Sequence, residues 1–253
     1  MSLEVFPVKA TRKQGKFDLY NEIKKLVEES GVPIRHEDVI VISSKYVSNS
    51  QGRILDHDSI KPSRQANELS KKFSVNDKLS EVIIRESDII FGGVSGFVIT
   101  SSDNIMAPNA GIDKSNSQGK LILYPDEPYL VAEQIKRKFF LDYGIHIGVI
   151  IVDSRLMPAR VGTSGVAIAC SGIEPVLDRR ATKDLDGNAL KVTFQATADN
   201  LASIANHKMG EADELLPIAI IRKSGAKLTD RKISSEETAI PYDECVYVRG
   251  LKR

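Results

Sequence analysis

Two uninterrupted apolar runs, Val39-Ile40-Val41-Ile42 and Gly148-Val149-Ile150-Ile151-Val152, constrain this chain more than any other feature. Each is short, rich in β-branched residues and free of alternation, which is the pattern of a buried strand. Helices must therefore flank the sheet that holds them. Each run also ends abruptly on polar chemistry, the first in Ser43-Ser44-Lys45 and the second in Asp153. A carboxylate at the C-terminal end of an apolar strand is where α/β enzymes often place ligands. Capping of the following turn explains Asp153 equally well.

Around these runs the spacing predicts interleaved strands and helices. A first strand falls at 5–8. A helix capped by Asp18 follows, with Leu19, Ile23, Leu26 and Val27 on one face, stopped by Gly31 and Pro33. Two short helices are expected, one at 63–73 and one capped by Asn76. Paired strands then lie around 96–100 and 105–107, with another at 121–123. A helix placing Val131, Ile135 and Phe139 inward ends before Gly144. Further strands are expected at 147–152, 166–170, 191–197, 217–222 and 245–248, with a loop at 154–163 and a helix from an Asp199 cap to Gly210. Tight turns join several strands, so the βαβ rhythm of a doubly wound sheet is missing. The expected class is α+β, with mixed, largely antiparallel sheets and flanking helices. No repeat or linker divides residues 1–253, which read as a single unit.

Composition removes several function classes. With 35 basic and 34 acidic residues, no global field favours nucleic acid or an anionic membrane. No apolar run approaches the ~18 residues of a membrane span, and the N-terminus lacks a signal-peptide pattern. Cys170 and Cys245 form no CxxC pair, so a zinc site or disulfide framework is not expected and a reducing cytoplasm is. His36, His57, His146 and His207 show no ligand spacing. A P-loop, a Rossmann fingerprint and a G-x-S-x-G elbow are all absent. Asp184-Leu185-Asp186-Gly187-Asn188 reads as a turn, because its glycine falls too early for a calcium loop.

Three polar places remain. The stretch from Asn104 to Asn116 holds a proline stop, a small-residue turn, and then Asp113, Ser115 and Asn116. It reads as a rigid loop presenting oxygen and nitrogen ligands, although Asp113 serves equally as a turn former. Glu211, Asp213 and Glu214 follow a helix C-terminus, where the dipole disfavours each negative charge by about 0.3–1 kcal/mol. A lysine, a metal or solvation must offset them. Hard oxygen ligands from separate loops suit Mg²⁺ or Mn²⁺. Lys45 and Ser44, just after a buried strand, are placed to bind a nucleotide phosphate, unless Lys45 is simply a solvated surface lysine.

These motifs together resemble the coenzyme F420:L-glutamate ligases, the γ-glutamyl ligase family. The resemblance runs through Ser43-Ser44-Lys45-Tyr46-Val47-Ser48-Asn49, Asn109-Ala110-Gly111-Ile112-Asp113-Lys114-Ser115-Asn116, Val149 to Ser154, Asp184 to Gly187, Ala198 to Ala202 and Met209 to Asp213. It covers about residues 4–222. It implies a GTP-dependent ligase that adds L-glutamate through γ-linkages to F420-0 and F420-1 by way of an acyl phosphate. It also implies an unusual two-lobed fold in an intertwined homodimer, with two Mg²⁺ or Mn²⁺ ions per site and K⁺ as an accessory cation. Carried over, Asp113, Asp153, Ser154 and Glu211 become metal ligands. Ser44, Lys45, Asn49, Asn116, Met209, Gly210, Ala212 and Asp213 become nucleotide contacts. Asp113, Asp153, Arg155 and Arg160 become the catalytic set, the arginines meeting phosphate or an anionic substrate. The chain departs from the family at Ser154 (commonly Thr), Met157 (commonly Arg) and Asn49 (commonly Lys). Three other readings use the same residues: a nucleotide-binding relative without catalysis, a two-metal phosphohydrolase, and a family ligase for another carboxylate acceptor.

Overall fold

The computed structural model describes residues 2–13, 15–115 and 117–250. Strand β1 (Glu4–Val8) leads to helix α1 (Leu19–Ser30). Asp18 accepts the Asn21 N–H at the start of α1, and Gly31 closes it in the left-handed region. Strand β2 (Val39–Ser43) runs directly into α2 (Ser44–Gln51), followed by β3 (Ile54–Leu55). Helices α3 (Arg64–Phe73) and α4 (Asp77–Glu86) are capped by Ser63 and Asn76. Strands β4 (Ile89–Val94), β5 (Phe97–Ser102) and β6 (Ile105–Pro108) form an antiparallel sheet. Then come β7 (Leu121–Ile122), α5 (Pro128–Tyr143), β8 (Gly148–Leu156) and β9 (Thr163–Ser171). Strands β10 (Val176–Asp178) and β11 (Phe194–Ala196) pair with each other. Helix α6 (Thr197–Met209), strand β12 (Ile218–Arg222) and the short helix α7 (Val246–Gly250) complete the order.

The central sheet has the order β1-β12-β2-β8-β9, with only β2 and β8 parallel. The other pairings are antiparallel, so the α+β class with mixed sheets and flanking helices holds. Alternation along the two apolar runs explains the layers. Ile40, Ile42, Val149 and Ile151 pack with Ile23 and Leu26 of α1 and with Ile135 and Phe139 of α5. Val39, Val41, Ile150 and Val152 pack on the opposite face with Leu201, Ala202 and Ala205 of α6. Each such side chain contributes about 1.5–3 kcal/mol of burial free energy, which is why neither run tolerates a polar position. A third cluster joins Phe73, Leu79, Val82 and Ile83 of α3 and α4 to Val98 and Leu121. No helix among the described residues is long and apolar enough to cross a membrane.

Helix α6 lies very close to β9 at Gly165. A Cβ there would stand 2.6 Å from Asn206 Cβ and 2.7 Å from the Ala202 carbonyl oxygen. Gly165→Ala is therefore expected to lower stability by about 1–3 kcal/mol through overpacking. A urea titration would read this as a lower midpoint at unchanged slope.

Four expectations need correction. The strand expected at 245–248 is replaced by helix α7 from Val246, with Arg249 N–H donating to the Cys245 carbonyl. Its apolar and aromatic side chains lie outside the buried core and meet no partner strand, so β-propensity has nothing to act on. The strand expected at 191–197 shrinks to β11, because Thr197 already belongs to α6. Asp199 is not the cap of α6 but sits in its first turn, where it accepts the Ala167 N–H at 2.9 Å and ties the helix to β9. Finally, β8 and β9 extend into the loop expected at 154–163, so Ser154 and Arg155 are strand residues.

Candidate active site

The parallel pairing of β2 and β8 sets the site. Ser43 lies opposite Val152, so the residues that follow each run, Ser44 and Asp153, emerge side by side. The Ser44 hydroxyl donates to Asp153 Oδ1 at 2.7 Å. On the other oxygen, Oδ2, Asp153 receives Nη1 of Arg155. Because side chains two apart on a strand share a face, this pairing is local to β8.

Asp113 arrives from the opposite direction. Its backbone exchanges both hydrogen bonds with Ile122, which fastens the loop to β7. Strand β7 in turn pairs with β3, just beyond the end of α2. Three successive residues, Asn109, Ala110 and Gly111, adopt positive φ to bring the loop there. Asn109 spends its side chain on this turn, accepting the Val98 N–H at 2.9 Å, and the Ala110 N–H donates to Thr100 Oγ1. Asp113 then meets Lys45 Nζ at 2.6 Å, while Ser115 Oγ accepts from the same ammonium at 2.7 Å. Burial raises the Asp113 carboxyl, but Lys45 and the Ser115 N–H outweigh it and hold the group below the usual carboxylate range. Ser44 and Lys45 are neighbours in the first turn of α2, so each hooks a carboxylate from a different segment. A helix N-terminus favours both charges.

Glu211 is held at the next residue of β8, through Ser154. Its Oε1 accepts from Ser154 Oγ at 2.7 Å, Asn206 Nδ2 at 2.7 Å and Thr163 Oγ1 at 3.2 Å. Glu214 is held below its ordinary range by its own backbone N–H and that of Ala212. Neutral donors thus serve Glu211 and Glu214, while Asp213 is exposed.

The remaining expected residues divide. Asn49 lies one helical turn after Lys45, half-buried, with an Oδ1 that has no partner among the described residues. Met209 is buried in the core against the sheet, leaving only its backbone for a ligand. Gly210 has φ 79 and ψ 177, and a Cβ there would collide with the Glu214 carboxylate at 2.3 Å. Ala212 N–H donates to Glu214 Oε2, and Asp213 is exposed. Arg160 is exposed in the turn after β8, and its guanidinium makes no hydrogen bond among the described residues, so it is not brought to Asp153. Asn116 lies outside the described residues.

Sequence reasoning missed Asn206, Thr163 and Tyr124. Asn206 had a faint signal: it follows Ala202 by four, on the helix face that packs against β9. Tyr124 had none; its ring lies beneath Arg155 at 5.7 Å, and burial drives its hydroxyl pKa far upward. A cavity of about 590 Å³ lies elsewhere, between α5 and the start of β8, lined by Lys136, Phe140, His146 and Asp230. It contains none of the expected site residues.

The donor set suits a hard divalent cation: carboxylate oxygens of Asp113, Asp153 and Glu211 and the Ser154 hydroxyl. Among the described residues no group of three or more His, Cys, Asp or Glu side chains is gathered closely enough to hold a metal ion. Lys45 and Arg155 instead sit on the carboxylates of Asp113 and Asp153 as internal counter-charges. The residues fit the ion by chemistry and sign.

A family model described as F420-0:Gamma-glutamyl ligase matches residues 8–223. The chain is 39% identical to the coenzyme F420:L-glutamate ligase of Methanocaldococcus jannaschii over 216 residues, 85% of this chain and 86% of that protein. It is 36% identical to the protein of that name from Methanopyrus kandleri over 223 residues, 87% of each. Against the one from Archaeoglobus fulgidus it is 32% identical over 256 residues, 100% of this chain and 99% of that protein.

Proposed function

The chain belongs to the F420-0:gamma-glutamyl ligase family, and from that premise we propose that it joins L-glutamate to coenzyme F420-0, and then to F420-1 through a γ-linkage, driven by GTP. The observation that carries this reading is the convergence at the start of α2. Adjacent residues, Ser44 and Lys45, hold two carboxylates from distant segments, Asp153 and Asp113. A site that only binds an anion has no need of two carboxylates there.

A carboxylate is a poor electrophile, so the acceptor must first be activated. An oxygen of the acceptor carboxylate attacks the terminal phosphorus of GTP, the bond to GDP breaks, and an acyl phosphate forms. The glutamate amine then attacks the acyl carbon, loses a proton, and expels phosphate. Lys45, with Ser44 and Asn49, binds the nucleotide phosphates at the N-terminus of α2, where the helix dipole attracts anions. The backbone from Met209 to Asp213 borders the nucleotide from the other side. Asp113, Asp153, Ser154 and Glu211 would hold Mg²⁺ or Mn²⁺, two ions per site, with K⁺ as an accessory cation. Bound there, these ions would neutralise charge on the transferring phosphoryl group. Asp113, held below the usual carboxylate range by Lys45, stays ionised at neutral pH and so remains ready to bind a cation.

Lys45→Met removes the ammonium but keeps a similar stem. A charge-assisted hydrogen bond is worth about 1.5–3 kcal/mol, so nucleotide affinity is expected to fall about 10- to 150-fold. Calorimetric titration with GDP in Mg²⁺ checks this.

The working form is proposed as a cytoplasmic, two-lobed homodimer. The family resemblance supports it, together with large apolar side chains left exposed at Val161, Leu185 and Phe194. Sedimentation velocity reads the mass directly. The proposed activity is tested by GDP release in Mg²⁺ or Mn²⁺ with L-glutamate and F420-0 supplied singly and together. Release that needs both substrates, and GTP in preference to ATP, supports it. Release without either one points to a phosphohydrolase.

A further inference from the structure

Among the described residues the chain buries two arginines to more than nine-tenths, Arg155 and Arg222. They differ in one respect. Arg222 aims its Nε and Nη2 edge at both oxygens of Asp38, at 3.0 and 2.8 Å. Arg155, 6% exposed, offers the same edge, but neither Nε nor Nη2 has a hydrogen-bond partner. Its one hydrogen bond among the described residues runs from Nη1 to Asp153. Its guanidinium carbon lies 5.7 Å from the centre of the Tyr124 ring. The Gly111 turn closes against both, since a Cβ at Gly111 would lie 2.8 Å from that ring and 3.7 Å from Arg155 Nη1.

Buried cationic donors without acceptors are costly, and side chains so placed are retained where a ligand completes them. The Nε/Nη2 edge matches a planar or tetrahedral oxyanion bidentately. We infer that this edge of Arg155 recognises an oxyanion, phosphoryl or carboxylate, brought beside Asp153 during the reaction. The inference rests on the proposed ligase activity, which supplies both kinds. The edge is covered from solvent, so the guanidinium must turn outward to meet its ligand; the hydrogen bond to Asp153 and the contact with the Tyr124 ring are what it gives up. The side chain then carries its fork from the carboxylate at the end of β8 to the group undergoing chemistry. That makes it a specificity-determining residue.

The test compares wild type with Arg155→Lys and Arg155→Met. Lys keeps the charge but loses the fork, and Met keeps the stem. Calorimetry in Mg²⁺ uses four probes: GDP, a β,γ-imido analogue of GTP, L-glutamate and F420-0. Mn²⁺ affinity is read separately by electron paramagnetic resonance. A phosphoryl partner predicts that the GTP analogue alone weakens, by about 10- to 150-fold for a lost charge-assisted pair. A carboxylate partner predicts the same loss for L-glutamate or F420-0 alone. Either result supports the inference. It is overturned if both variants bind every probe as wild type does. It is also overturned if all affinities fall in step with Mn²⁺, as they would for a residue that merely sets Asp153. Should Met prevent folding, Lys carries the comparison. A wild type that binds none of the probes refutes the ligase reading itself, a result distinct from the other two.

Discussion

Asp153→Asn is expected to lower kcat/KM for glutamate ligation by about 10³-fold, or ~4 kcal/mol of transition-state stabilisation. The carboxylate occupies the meeting point of the site, with Ser44 on one oxygen and Arg155 on the other. Asparagine keeps the size and one acceptor oxygen, but it carries no charge for a cation. It can also satisfy only one of the two donors as before. Stability should fall as well, because Arg155 loses its buried counter-charge, by about 1–3 kcal/mol. The two effects separate in a combined measurement of steady-state kinetics and urea unfolding. A variant whose activity fell only in proportion to its folded fraction would remove Asp153 from the chemistry.

The second large effect lies far from the site. Asp38 and Arg222 form a two-pronged ion pair in which Asp38 is 1% and Arg222 is 9% exposed. Arg222 also donates to the Pro33 carbonyl, and Asp38 accepts the Arg35 N–H. The pair locks the start of β2 to the end of β12. Asp38→Ala leaves a buried guanidinium without its counter-ion and is expected to cost about 3–5 kcal/mol. Asp38→Ala combined with Arg222→Met removes both charges, and should recover part of that loss. Urea midpoints of the four proteins in this double-mutant cycle give the coupling. Equal losses for the single and double variants would mean that the charge itself is not what the pair compensates. Activity per folded molecule should not change in any of them.

The parts of this molecule legible in its sequence were those set by local rules. The runs 39–42 and 148–152 announced buried strands, and Asp18, Asn76, Gly31 and Gly144 marked helix ends through capping chemistry that needs no distant partner. The segment 245–248 misleads, and 191–197 reads as too long a strand, because β-branched and aromatic residues form strands only where another strand lies alongside, as β10 does for 194–196 alone. The site was legible as residue types but not as contacts. That Ser44 meets Asp153 depends on the parallel register of β2 and β8, a long-range pairing that neither run encodes alone. Lys45 meets Asp113 because a turn of three positive-φ residues and a bridge to Ile122 carry the loop back. Only Gly111 hinted at that turn. Arg155 looked like a loop residue near a proline, yet strand pairing with Ser164 buries it. The neutral donors around Glu211 left no trace, since a lone Asn or Thr has no periodic signature.

The most direct measurement is mass spectrometry of F420-0 incubated with wild-type protein, L-glutamate, GTP and Mg²⁺, beside the same reaction with Asp153→Asn. The account predicts acceptor heavier by one or more glutamyl residues, matched by GDP formed, with wild type and next to none with the variant. An unmodified acceptor beside wild type that binds and turns over GTP would contradict it.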